Sequence, residues 1–356
     1  MSGDENPGAG AAYALRRVAM LAAGGEIHEA ARVLAAMDEN RRDKVYELAV
    51  HEGLEPLVLA ADHELDPSRA KRARSAAGRD LVVDDCIATA AAALGGIDCA
   101  FLLEKGAYFR DALYPWTWTR TMVDVDVLVR PADLERAADA LSNAGFRAVG
   151  PHPTRPVSGR LSLERILVRD RDSISVEVHA DLTHERFGFS DDVEGLFRRA
   201  VKTRWKGART LSHEDHLLHA AVHLARSGLD DSLKHYLDVD RMARVWRLDW
   251  DTVIGRAGRW GCASALFFVL NTARFLFATP IPDPVISELA PGGPRAWMLK
   301  GLLARTEGSA DEQGAGWGRS CWKATVLPAL YDHPGDRLGY TVWTAITRLA
   351  DLACQI

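Results

Sequence analysis

The sequence predicts an α+β fold, a small mixed β-sheet flanked by helical domains on its N-terminal and C-terminal sides. Three observations predict it. Before Gly95 the apolar residues recur at helical spacing with no strand signal, from Cys99 onward short apolar runs alternate with helical segments, and beyond Leu211 helical spacing returns. At 356 residues the chain is long for a single core. The expected division is 1–95, an N-terminal helical domain, 96–208, the sheet domain, and 209–356, a C-terminal helical domain.

From about Ala11 to Gly95, stretches such as AARVLAAMDENRRDKVYELAVHEGL predict four or five packed helices, ended by Gly95-Gly96. Cys99 to Leu103 reads as a short buried strand leading into Lys105-Gly106, and AYFRDALYP as a short helix stopping before Pro115. TMVDVDVLVR then reads as a strand, and PADLERAADALSNAGF as a helix with Pro131 near its first turn and Gly145 at its stop. Leu161 to Arg169 and Ser173 to His179, separated by Asp170, Arg171 and Asp172, predict an antiparallel hairpin, which makes the sheet mixed. Ser212 and Asp215, in capping-box spacing, open the helix HLLHAAVHLARSG, and several more helices follow. The Gly- and Ser-rich stretch from Glu307 to Ser320 reads as the most mobile loop.

A net charge of −5 with 26% charged residues argues against a general nucleic-acid surface. The cysteines, Cys86, Cys99, Cys262, Cys321 and Cys354, are scattered without metal-ligand spacing and read as reduced thiols. The first residues do not resemble a secretory signal, and the apolar stretch from Cys262 to Pro280 is broken by Asn271 and Arg274, so no membrane span and a cytoplasmic location are expected.

Asp124 and Asp126 stand two apart in a β-branched run, so their carboxylates leave the same face of the strand. Two like charges on neighbouring same-face positions repel, and burying either one is costly. A divalent metal ion compensates such a pair; a solvated sheet edge is the alternative, opposed by the surrounding Met122, Val123, Val125, Val127, Leu128 and Val129, which suggest cover on both faces. In SISVEVHADL alternation places Ser175, Glu177 and His179 on one face, making Glu177 a candidate third carboxylate. A trio of this kind suits phosphoryl or nucleotidyl transfer. Taken alone, Glu177 reads as a solvated or salt-bridged strand residue, and the Asp pair beside it makes the third-acid reading its equal; His179 reads first as a hydrogen-bonded packing histidine. Lys105-Gly106, between a strand and a helix, offers backbone N–H groups to phosphate oxygens.

The order LLEKGAYFRDALYP, TRTMVDVDVLVRPADLERAADALSNAGF, SVEVHADL, LSHEDHLLHAAVHLAR and LKHYLDVDRMAR resembles the uncharacterised nucleotidyltransferase family within the DNA polymerase β superfamily, over roughly Ala100 to Arg244. The resemblance implies a small mixed β-sheet nucleotidyltransferase core, with Mg²⁺ (or Mn²⁺) at Asp124 and Asp126 and Glu177 as the third, metal-binding acid that helps deprotonate the attacking hydroxyl. It also implies a nucleoside triphosphate near Gly106, phosphate contacts from Lys105 and Arg120, and His179, His223 and Asp238 along the nucleotide or acceptor cleft. A His223–Asp238 pair locking two helices is the structural alternative. Ala107 stands where the wider superfamily usually has Ser or a second Gly, and the gap to Asp124 is longer than in many members.

The expected activity is Mg²⁺-dependent transfer of a nucleoside monophosphate, with ATP the expected donor, to a hydroxyl or phosphate of a small-molecule acceptor; a protein acceptor is the other option, and nucleic acid and membrane are not expected partners. The competing reading is an inactive protein of the same fold that binds nucleotide or a partner. A second rival is zinc on the helix bearing His213, His216, His219 and His223, although HAAVH lacks the glutamate of a zinc-hydrolase helix. Tyr114, Trp116 and Trp118 offer stacking surfaces or simple packing.

Overall fold

The computed structural model describes residues 7–62, 66–149, 164–182, 189, 192–227, 229, 232–293, 295–299, 301, 303 and 327–332. The expected mobile loop at Glu307 to Ser320 and the start of the hairpin at Leu161 lie outside them. Five helices come first: α1 (Pro7–Ala23), α2 (Ile27–Ala35), α3 (Glu39–His51), α4 (Glu55–Ala61) and α5 (Pro67–Gly96). Asp38 and Asp66 begin α3 and α5 by accepting backbone N–H bonds of the first turn.

The sheet segment runs β1 (Phe101–Leu103), α6 (Gly106–Ala112), β2 (Asp124–Val129), α7 (Leu134–Asn143), β3 (Phe146–Ala148), β4 (Glu164–Arg169) and β5 (Ser175–His179). After α8 (Val193–Arg199) come two short strands, β6 (Val201–Lys202) and β7 (Arg209–Thr210). Seven strands form one sheet in the order β3-β4-β5-β2-β1-β7-β6. β2 pairs parallel with β5 and β1 with β7, while the remaining pairs are antiparallel, so the sheet is mixed as expected. Gly145, with φ +91°, takes the left-handed turn after α7 that a side chain would strain.

The predicted hairpin is β4 and β5, closed by a tight turn in which Ser173 N–H donates to Arg169 O at 2.8 Å. β3, β6 and β7 carry no counterpart in the sequence reading, because runs of two or three residues are too short for alternation to show.

The two sheet faces differ. Val125, Val127 and Val129 of β2 and Val176 and Val178 of β5 join Cys86, Ile87, Ala90 and Leu94 of α5 and Leu141 of α7 in a fully apolar core. Leu102 and Leu128 point the other way, into a second core with the helices that follow and with α1 to α4. Those later helices are α9 (His213–Arg226), α10 (Leu233–Val245), α11 (Trp250–Trp260), α12 (Ala263–Phe277) and α13 (Asp283–Leu289). α12 is the apolar stretch of the sequence and is nearly all buried. Among the described residues no helix is long and apolar enough to cross a membrane.

Ser212 caps α9 as expected: its Oγ accepts the Asp215 N–H at 3.2 Å and donates to Asp215 Oδ2 at 3.0 Å. Ser212→Ala is expected to cost about 1 kcal/mol of unfolding free energy, read by urea denaturation; an unchanged midpoint would show that Arg199 and Arg256, which also reach Asp215, hold the helix start without the cap.

Candidate active site

Strand β2 carries its valines toward α5 and α7, and the same alternation sends Asp124, Asp126 and Leu128 to the opposite face. The parallel register places Asp126 beside Glu177 and Leu128 beside His179, so acids from neighbouring strands share one face. Ligand atoms of Asp126, Glu177 and His179 lie within 4.8 Å of one another. β2 lies between β1 and β5, and the chain leaving β1 brings Lys105 to the other side of Asp126, with Nζ 2.8 Å from Oδ1. His179 Nε2 faces the same oxygen at 3.2 Å. The solvated-edge alternative does not hold for Asp126, which is 4% exposed. Val123, expected under cover, is instead 72% exposed, just ahead of the strand.

Charge in this cluster is finely opposed. Burial works against ionisation of Asp126, yet Lys105 and the hydrogen-bonded His179 outweigh it and hold the carboxyl well below the usual carboxylate range. Asp124 is pushed up, first by burial and then by Asp126, and Glu177 is pushed up by burial, Asp126 and Asp124 in that order. For Lys105, burial favours the neutral amine, but Asp126 and Glu104 more than compensate and its pKa rises. Lys105 also has a positive φ of 43°, a conformation costly for a residue with a side chain. Its neighbour Gly106 packs closely under Met122, where a Cβ would come within 3.2 Å of Met122 Cβ.

Above this face lies a cavity of about 240 Å³. Lys105, Gly106, Met122, Val123, Asp124 and Asp126 line one side, and His219, His223 and Leu224 of α9 with Lys234, His235 and Asp238 of α10 line the other. Burial and the Lys105 charge keep His219 and His223 neutral, with pKa values well below that of free imidazole; burial and Arg120 take His235 down to about 3.

Most residues singled out in the sequence thus meet at one place. Lys105, Gly106, Arg120, Asp124, Asp126, His223 and Asp238 line the cavity, while Glu177 and His179 flank Asp126 from β5. Arg120, expected to contact phosphate, directs Nε and Nη2 to Asp238 at 2.8 and 2.6 Å. Tyr114 donates to the same carboxylate at 2.7 Å, so it belongs to this buried network, whereas Trp116 is 41% exposed. In the α9 histidine row, His216 meets Thr210 Oγ1 at 2.7 Å and His213 stacks on Trp246 at 4.4 Å. Among the described residues, the one group whose donors converge as a metal site would require contains none of the α9 histidines. Lys234, His235 and the buried Glu104 escaped the sequence reading as site residues, and His219 was read there only as a possible zinc ligand. The spacing of Lys234 and Asp238, four apart on one helix face, was the available signal.

The residues fit a divalent cation. Three carboxylates and an imidazole share one face, Asp124 and Glu177 have raised pKa values from burial and from the neighbouring Asp126, and an ammonium supplies positive charge to Asp126. Paired acids on adjacent strands, a cation-compatible donor set and a cavity with basic groups are the features of a group-transfer enzyme's site. More narrowly, residues 38–278, more than half of the chain, match the family described as uncharacterised nucleotidyltransferase, and the chain belongs to that family. The match extends beyond the Ala100 to Arg244 segment on both sides and takes in α3 to α5, α11 and α12. No curated protein and no solved structure matches the chain.

Proposed function

We propose that the protein transfers a nucleoside monophosphate from a nucleoside triphosphate, with ATP the expected donor, to a hydroxyl or phosphate of a small-molecule acceptor, releasing pyrophosphate. The observation that carries this reading is the placement of Asp124 and Asp126 on the floor of a cavity whose other side is basic and imidazole-rich, with Glu177 alongside. Asp124, Asp126 and Glu177 would hold Mg²⁺ or Mn²⁺. Such cations neutralise charge on the transferring phosphoryl group when bound.

The chain's own groups supply the rest. Lys105 and Lys234 present ammonium charge to phosphate oxygens inside the cavity. Glu177, with its raised pKa, is suited to take the proton of an attacking hydroxyl. Neutral His219 and His223 can donate or accept hydrogen bonds to ribose or acceptor hydroxyls without adding charge. The modest cavity volume and the net charge of −5 favour a small acceptor over a polymer. Free, buried Cys86, Cys99 and Cys262 support a reducing, cytoplasmic setting.

Calorimetry with ATP, CTP, GTP and UTP, each with and without Mg²⁺, tests this reading. The expected result is triphosphate affinity at least tenfold higher with metal, strongest for ATP. Metal-independent binding, or none, would rule out the assignment.

A further inference from the structure

His179 follows Glu177 by two residues on β5, so both side chains leave the sheet on one face. β5 is flanked by β2, which supplies Asp126, and by β4, whose Glu164 is in register with His179. The two ring nitrogens therefore face different carboxylates. Nε2 lies 3.2 Å from Asp126 Oδ1 and 3.8 Å from Glu177 Oε2, while Nδ1 looks back at Glu164 Oε1 at 3.9 Å.

Metal–ligand bonds of about 2.0–2.2 Å, set at tetrahedral or octahedral angles, leave neighbouring donor atoms about 3 to 3.5 Å apart. The spacing around Nε2 is near that range. The ring is 6% exposed and held between strands, with the Glu164 carboxylate on its far side, close to where an acid would orient a metal-binding histidine. A histidine that served packing alone has no need to aim one nitrogen into two carboxylates. Asp124 stands apart from this group, one strand position toward the cavity.

We propose that His179 Nε2 is a direct ligand of a divalent cation shared with Asp126 and Glu177, forming an imidazole-dicarboxylate position that prefers Mn²⁺ to Mg²⁺. The inference rests on the nucleotidyl-transfer reading above and divides its cations into two kinds. Asp124 and Asp126 make an all-oxygen position facing the cavity, suited to Mg²⁺, whereas the nitrogen donor shifts the second position toward a softer ion. Asp126 belongs to both.

Pulsed electron paramagnetic resonance on the full-length protein with less than one equivalent of Mn²⁺, and no nucleotide, detects nitrogen bound directly to the ion. The wild type is expected to show that nitrogen coupling. His179→Gln is expected to lose it and to bind Mn²⁺ about ten- to a hundredfold more weakly, with Mg²⁺ affinity changed less than threefold. Glu164→Gln, which leaves the imidazole in place, should retain the coupling with Mn²⁺ binding weakened severalfold. Bound Mn²⁺ without nitrogen coupling in the wild type, coupling that survives in His179→Gln, or no Mn²⁺ binding overturns the inference. The wild-type spectrum is decisive even if a variant misfolds. Metal-dependent ATP binding by calorimetry is read separately, so a cation held by carboxylates alone sinks the role of His179 and leaves the transfer reading standing.

Discussion

Asp124→Asn combined with Asp126→Asn is expected to abolish nucleotidyl transfer, with a loss of at least about a thousandfold, because metal-borne charge stabilisation in phosphoryl transfer amounts to several kcal/mol. The single variants should separate activity from stability in opposite directions. Asp124 has a raised pKa in the folded protein, from burial and from Asp126, so its ionised form is penalised at neutral pH. That penalty is present above the folded pKa and disappears as the pH falls below the unfolded value. Asp124→Asn removes it and should raise the melting temperature of the metal-free protein. Asp126 behaves in the reverse sense. Its lowered pKa means that its charge adds stability above the unfolded pKa, lost as pH drops through the folded one. Asp126→Asn strands the Lys105 ammonium and should destabilise the fold. Thermal melts in EDTA, paired with transfer assays, decide the matter: two variants that melt alike would show that the acids do not repel as the geometry requires, and a double variant as active as wild type would end the assignment of these acids to catalysis.

How far the sequence foretold this site depends on the length over which each signal repeats. The Asp124–Asp126 pair was legible because four valines around it fix the strand phase, and Glu177 and His179 because SVEVH alternates cleanly; strand phase alone then predicts a shared face. What it does not predict is strand order. That β5 lies next to β2 and parallel to it, rather than beyond β4, is what brings Glu177 beside Asp126, and long-range pairing leaves no local mark. Arg120 shows the complementary limit. Sequence position suggested phosphate, but only the approach of α10 reveals that its guanidinium meets Asp238, more than a hundred residues away. Lys234 and His235 were passed over because a Lys-His pair on an amphipathic helix looks like any solvated face until a cavity is seen beneath it. β6 and β7 were missed for a simpler reason, since two residues cannot display a period.

Asp238→Ala is expected to be the most destabilising single change near the site, costing about 3 to 5 kcal/mol, because removing one partner leaves the other charge buried and uncompensated. Arg120 is 5% exposed and Asp238 2%. Both ends of the carboxylate accept from the guanidinium, Tyr114 donates to Oδ1, and the remaining Arg120 nitrogen donates to Thr121 O at 2.6 Å. This network fastens the segment from Tyr114 to Thr121, which delivers the chain into β2, onto α10. Loosening it should therefore reach the chemistry as well as the fold, since Asp124 is four residues beyond Arg120 and Lys234 is one turn before Asp238. Arg120→Met with Asp238→Leu removes both charges, and it should recover about 1 to 3 kcal/mol relative to the sum of the single changes while transfer stays impaired. Chemical denaturation of the four proteins measures that coupling. Additive losses would mean that the pair does not act as one buried unit, and full activity in the apolar double variant would show that the ion pair clamps the helices without placing Asp124.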